Sequence, residues 1–187
     1  MLTRDDAVEL LSRYGGDAGW TRHCHAVAEA AARVGDALVQ KHAIDCAFLW
    51  SGALLHDIGR HVTHDPLGHG VEGYKLLSAL GHAREAHVCA SHLLFGLDAA
   101  EASQVGLPAR EFVPRTIEER LVPLVDYLIE YDRPTTLEKR FASLRNRNGG
   151  NAFFLDRLER AQACAKRFMM QIEAEIGASV EGIVADQ

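Results

Sequence analysis

The sequence lacks paired cysteines. Cys24, Cys46, Cys89 and Cys164 are scattered, with no CxxC spacing. That excludes a disulfide framework and a cysteine zinc site, and the four read as buried thiols of a cytoplasmic protein. It also lacks any apolar run approaching the length of a membrane span, and the opening Met-Leu-Thr-Arg-Asp-Asp has no signal-peptide pattern, so no membrane partner is expected. There is no excess of basic residues. The net charge of −6 argues against strong nucleic-acid binding, though not against a small, locally basic pocket. No internal repeat, low-complexity tract or strand pattern stands out. Finally, the C-terminal half has no histidine: all 10 lie between His23 and His92, whereas surface histidines without a shared role would spread along the chain.

What is present is an ordinary soluble composition, 48% hydrophobic and 25% charged, in 187 residues, a length that fits one domain with a real core. The composition leaves a homodimer open. Helical periodicity runs through every long segment, so the expected fold class is all-α, a bundle of roughly six to eight helices. Thr3 caps a first helix, with Val8, Leu10, Leu11 and Tyr14 as its apolar face and Gly15-Gly16 as its stop. A second helix over about 20–42 carries Val27, Ala31, Val34 and Leu38 on one stripe, which His23 extends inward; His25 is rotated away. Residues 44–57 form a third helix, apolar nearly all round and therefore central. It ends in His56-Asp57, after which Gly59 releases the backbone.

His69 opens a fourth helix, in which Gly73 lets another helix approach, and a fifth over about 83–93 carries His92. The segment 95–115 is too long for a plain connector and reads as a lid or an excursion with one short helical turn. Thr116-Ile-Glu-Glu119 and Thr135-Thr-Leu-Glu138 are capping boxes. The first starts a helix that turns Asp126 the way its apolar residues point. A last helix over about 152–176 has the stripe Phe154, Leu158, Ala161, Ala165, Phe168 and Ile172, and the residues beyond it are expected to fray.

Several helices thus bring a metal-ligand type inward: His23, His56 with Asp57, His69 or His92, and Asp126. Taken singly, His23 reads as a satisfied core histidine, His69 as a solvated helix start and His92 as interfacial packing. An inward Asp126 is harder to explain that way, because an unpaired buried carboxylate is expensive. A divalent ion removes the cost from all of them at once. Hard oxygen and imidazole donors suit Mn, Fe, Co, Ni, Zn or Mg without choosing among them.

The stretches His23-Cys-His-Ala-Val-Ala, Leu54-Leu55-His56-Asp57-Ile58-Gly59-Arg60, His69-Gly-Val-Glu-Gly, Ala90-Ser-His92 and Leu124-Val-Asp126-Tyr together resemble the HD-domain superfamily of metal-dependent phosphohydrolases. They are similar to the branch reading His-Asp-Ile-Gly, which includes hydrolases of diadenosine tetraphosphate. The resemblance runs over about 20–133, with the helices of about 135–176 outside it. It implies an all-α HD domain with a metal site between helices, in which His23, His56, Asp57 and Asp126 hold one metal. His69 and His92, with Asp57, would serve a second metal or position substrate, giving one or two ions per chain. Arg60 stands where related members often carry Lys.

On this reading Asp57 is catalytic and Arg60 holds a non-bridging phosphate oxygen. His64 protonates the leaving group, a role for which His61 is the weaker candidate in a water-exposed loop. Lys75, Arg110 and Arg115 reach the phosphate if the long segment folds over the site. The expected activity is hydrolysis of a nucleotide-like phosphate mono- or diester, with a small phosphorylated molecule as partner. A di-iron oxygenase and a non-catalytic metal or nucleotide sensor are the alternatives.

Overall fold

A computed structural model describes residues 2–186, and among these the chain forms ten α-helices, two 3-10 turns and one two-stranded ribbon. The helices are α1 Arg4–Gly15, α2 Gly19–Leu38, α3 Cys46–Leu55, α4 Gly68–Ala79, α5 Ala83–Ser91, α6 Ala99–Val105, α7 Ile117–Asp126, α8 Leu137–Arg147, α9 Ala152–Ile176 and α10 Val180–Ala185. Strands β1 (Ile129–Glu130) and β2 (Arg133–Pro134) pair antiparallel across a tight turn. The all-α class holds, with more helices than expected because α6 and α10 are formed as well.

Helix α3 is the axis. Residues Phe48 to Leu55 are all buried, as an all-round apolar helix requires, and α1, α2, α5 and α7 pack around it. Asp45 caps its start by accepting from Phe48 N–H. Helix α9 buries the stripe Phe154, Leu158, Ala161, Ala165, Phe168 and Ile172. Helix α10 is docked, not frayed: Val180 and Val184 are buried, and their helix is tied down by Arg33, which donates to the Ile183 and Val184 carbonyls.

Other expectations need correction. On α1 the inward residues are Ala7 and Leu11, while Val8 faces solvent. The cap of α8 is Thr136, which accepts from Lys139 N–H, one residue later than the Thr135 box predicts. Only Cys24 and Cys89 are buried; Cys46 is exposed and Cys164 intermediate. Of the two alternatives for the 95–115 segment, the excursion holds, with α6 as its short helix, and the lid does not. The segment closes on itself through a Leu97–Phe112 bridge and packs Leu97, Ala102, Leu107 and Phe112 against Val71, Ala90 and Leu93 in a small separate cluster beside α4 and α5.

Gly59 has a role that differs from chain release. It sits in the 3-10 turn Ile58–His61, pressed against α4, where a Cβ would lie 1.9 Å from the His69 carbonyl oxygen and 2.4 Å from Gly73 N. Gly73 in turn has Cys89 Sγ of α5 2.9 Å from its own Cβ position. Two glycines therefore set how closely the His-Asp turn, α4 and α5 approach. Gly59→Ala is expected to cost about 1–3 kcal/mol or more by overpacking and to lower Tm by several degrees, roughly 2–4 °C per kcal/mol. Gly150→Ala, where nothing lies within 4 Å, should leave it unchanged. Thermal denaturation of both variants checks this; equal Tm values would show that the close approach yields freely.

Candidate metal centre

Each candidate donor comes from a different place in the fold. His23 is on α2, His56 ends α3, and Asp57 is the next residue. His69 is in the first turn of α4, His92 ends α5, and Asp126 ends α7. His23, His56, Asp57, His69 and His92 are buried, and Asp126 keeps 15% of its side chain exposed.

The four imidazoles share one device. Every Nδ1 faces a backbone carbonyl: His23 to Tyr131 at 2.6 Å, His56 to Ala53 at 2.6 Å, His69 to Asp65 at 2.9 Å and His92 to Val88 at 3.2 Å. A carbonyl can only accept, so Nδ1 carries a proton, and in the neutral imidazole the Nε2 lone pair is left facing the interior. This outer hydrogen bond is the usual way a metal-ligating histidine is oriented.

The Nε2 atoms converge in two groups. In one, His23 Nε2 is 2.9 Å from Asp126 Oδ1 and 3.9 Å from Asp57 Oδ2, while His56 Nε2 is 3.7 Å and 3.8 Å from the same two oxygens. In the other, Asp57 Oδ1 is 2.9 Å from His69 Nε2 and 3.7 Å from His92 Nε2, and the two nitrogens are 3.2 Å apart. Donors bound at 2.0–2.2 Å to a common ion stand about 3.0–3.5 Å apart; the shortest contacts in each group meet that spacing, and the distances of 3.7–3.9 Å would close by a few tenths of an ångström around an ion. Asp57 gives one oxygen to each.

The donors also fit a cation chemically. His56 Nε2 is fully buried and has no hydrogen-bond partner among the described residues. His69 and His92 turn two lone pairs toward each other, an arrangement that needs a proton or a metal ion between them. Burial opposes the charge on Asp57, but His69, His56 and Arg60 outweigh it and hold the carboxyl well below its usual range. Burial likewise opposes ionised Asp126, and His23 and His56 hold it low. Burial, with His56 and His69 beside it, pushes His92 down to about 3, so its imidazole is a neutral donor near pH 7.

A cleft of about 520 Å³ opens beside the first group, lined by His23, Asp57, Arg60 and His64 together with Trp20, Arg22, Tyr131, Asp132, Arg140 and Arg147. A smaller pocket of about 80 Å³ lies beside the second group, where Arg60, His69, His92, Asp126 and Arg140 meet Leu93, Leu94, Tyr127, Leu144 and Phe154. Arg60 does not swing free, since its Nε donates to Asp57 Oδ2. His61 is tied to the Ile58 carbonyl, with its ring 5.0 Å from Tyr14.

Lys75, Arg110 and Arg115 line neither space. Lys75 pairs with Glu72 at 2.7 Å, Arg110 lies over Phe112, and Arg115 pairs with Glu111. The expectation that Lys75 contacts substrate is corrected on that ground: it lies on α4 about 120° from His69, at roughly 100° per residue.

Sequence reasoning missed the ribbon, and it expected the helix that is α8 without placing it at the site. Tyr131, at the β1–β2 turn, has φ 59°, which a non-glycine residue rarely adopts, and its carbonyl orients His23. Arg140, Leu144 and Arg147 share one face of α8, and their i, i+4, i+7 spacing was the signal available.

Comparison with known proteins agrees with this geometry. A family profile described as HD domain matches residues 20–144. The chain is 34% identical over 131 residues to an uncharacterized protein of Methanocaldococcus jannaschii, covering 69% of this chain and 77% of that protein. It is 31% identical over 145 residues to a tRNA (cytidine(56)-2'-O)-methyltransferase of Picrophilus torridus, and 33% identical over 133 residues to one of Thermoplasma volcanium. Those two matches cover 77% and 71% of this chain but 41% and 38% of the methyltransferases. No solved structure matches.

His56→Ala and Asp57→Ala are each expected to strip the metal and to lower thermal stability, because the remaining buried donors lose their shared partner. Elemental analysis of protein purified in parallel with wild type is the measurement. Full occupancy in both variants would show that the donor groups hold no ion.

Proposed function

The chain belongs to the HD-domain family, and from that premise we propose that it is a metal-dependent phosphohydrolase acting on a nucleotide-like phosphate mono- or diester. The observation that carries the reading is the charge balance of the cleft. Arg22 pairs with Asp132, Arg60 with Asp57 and Arg147 with Glu130, while Arg140 stands between Glu130 and Asp126. Of these groups the cleft wall itself carries all four arginines but only two carboxylates, Asp57 and Asp132; Glu130 and Asp126 stand behind it. The wall is therefore positive in a protein that is acidic overall, and divalent ions in the donor groups make it more so, which suits a small anionic substrate and disfavours polyanions.

When bound, a divalent ion lowers the pKa of its water and supplies hydroxide at neutral pH. The chain's own residues do the rest. Asp57 offers an oxygen to each donor group. Arg60, fixed by Asp57, keeps its terminal nitrogens for a non-bridging phosphate oxygen. His64, on the cleft wall, is the candidate to protonate the leaving group. Trp20 and the exposed ring of Tyr131 flank the opening, as planar groups that could stack on a base. The methyltransferase names of two relatives belong to proteins of which this chain spans less than half, and nothing in the donor groups calls for methyl transfer.

The protein loaded with Mn, and separately with Fe, should release phosphate or a nucleoside monophosphate from members of a nucleotide and phosphate-ester panel. Oxygen uptake with iron and no phosphate release would point to the oxygenase instead, and ligand binding without turnover to a sensor. Saturating Mn should give two ions per chain, falling to one in His69→Ala. One ion in wild type would recast His69 and His92 as substrate-binding groups.

Arg60→Ala should keep the metal, since every donor remains, and lose turnover on the order of ten- to a thousand-fold, as for removal of one charge-stabilising donor. Assay and metal content must come from the same sample. Wild-type turnover at full metal would remove Arg60 from the chemistry.

A further inference from the structure

Arg140 is the arginine that the fold holds beside the donor groups without using it. It lies on α8, and apart from Arg60 it is the one residue lining both the outer cleft and the inner pocket. Its side chain is only 12% exposed. A guanidinium has five N–H donors, and a buried one is normally bound to carboxylates or carbonyls. Here the nearest carboxylate oxygens stand off, Glu130 Oε1 at 3.5 Å from Nη1 and Asp126 Oδ1 at 4.0 Å from Nη2. The Nε is buried and has no hydrogen-bond partner among the described residues.

Its neighbours differ. Arg60 gives its Nε to Asp57. Arg147 binds Glu130 at 2.7 Å and Ser143 at 3.0 Å. Arg22 is two-thirds exposed and pairs with Asp132 at 3.3 Å. Glu130 is itself engaged by Ser143 and Arg147, so it anchors Arg140 electrostatically without taking a close bond. Leaving a buried cation under-bonded costs stability, and a shorter or apolar side chain on this face of α8 would avoid that cost. The arrangement makes sense if an anion completes it. The gap to Asp126, a member of the first donor group, places that anion next to the donors, in the spaces that Arg60 also lines.

We infer that Arg140 binds a phosphate oxygen of the substrate and of the phosphate product, forming with Arg60 a two-armed clamp at the junction of cleft and pocket. The inference rests on the phosphohydrolase reading for its ligand class. The planar fork matters, because a lysine point charge cannot offer two parallel N–H groups to a phosphate.

The test uses Mn-saturated wild type, Arg140→Ala and Arg140→Lys, with inorganic phosphate as probe in calorimetry. Metal content, circular dichroism and turnover on the best ester are measured alongside. Arg140→Ala should bind phosphate on the order of ten- to a hundred-fold more weakly, the loss typical of a charged hydrogen bond, with metal and helicity intact. Arg140→Lys should recover only part of the affinity. Added guanidinium should restore part of the loss in Arg140→Ala and leave wild type unchanged, which a merely structural role would not produce.

Wild-type phosphate affinity in Arg140→Ala, no phosphate binding by wild type, or a loss that tracks metal loss and is not rescued would each overturn the inference. If Arg140→Ala does not fold, Arg140→Lys decides, and wild-type affinity there overturns the clamp. Weakened phosphate binding in a protein that hydrolyses no ester would sink the hydrolase reading and leave the clamp. Hydrolysis with an unaffected Arg140→Ala would do the reverse.

Discussion

Asp57 is a carboxylate with 2% of its surface exposed, set among imidazole lone pairs and close to a second carboxylate. Arg60 supplies one positive contact, which leaves most of the acceptors facing it without a donor. Such a centre is tolerable only around a cation, and much of the fold serves to hold it. Helix α3 is apolar nearly all round, so His56 and Asp57 at its end are carried inside. Four backbone carbonyls, from Ala53, Asp65, Val88 and Tyr131, fix the tautomers that leave the lone pairs inward. Gly59 and Gly73 remove the side chains that would hold α4 and α5, and with them His69 and His92, away from Asp57.

The surroundings divide the work by polarity. The outer cleft sets four arginines against two carboxylates, so its wall attracts an anion and ions held in the donor groups would add to that attraction. The inner pocket is closed on one side by Leu93, Leu94, Leu144 and Phe154, which lowers the local dielectric next to His69 and His92. Backbone strain gathers at the same place. Leu94 and Phe95, just past His92, and Tyr131, whose carbonyl orients His23, all have positive φ without being glycine. Core packing of Leu94 and Phe95, and the Tyr131–His23 hydrogen bond, hold these conformations.

Local chemistry was read well from sequence wherever it stayed local. The α9 stripe, the Thr3 and Thr116 caps, the inward His23 and the outward His25 follow from periodicity and capping alone. The Thr135 box failed because two adjacent threonines compete and the turn after β2 chose Thr136. Of the lid and the excursion left open for 95–115, the excursion holds because Leu97, Leu107 and Phe112 pack against Val71, Ala90 and Leu93 of the α4–α5 region. The fraying expectation failed because Val180 and Val184, too sparse for a sequence signal, meet a prepared surface on α2.

The sequence by itself determined the helical class, which donor types each helix turns inward, and a family resemblance carried by the histidines and aspartates between residues 23 and 126. Those features depend on spacing along one element, and spacing is written in the chain. Only the tertiary structure decided the distances at which the donors stand from one another, that Lys75 points elsewhere, and that α8 brings an under-bonded Arg140 beside Asp126. Distances between elements arise from how side chains interlock across helices distant in sequence. At Gly59 an added Cβ would lie 1.9 Å from the His69 carbonyl oxygen, a close approach that no periodicity records.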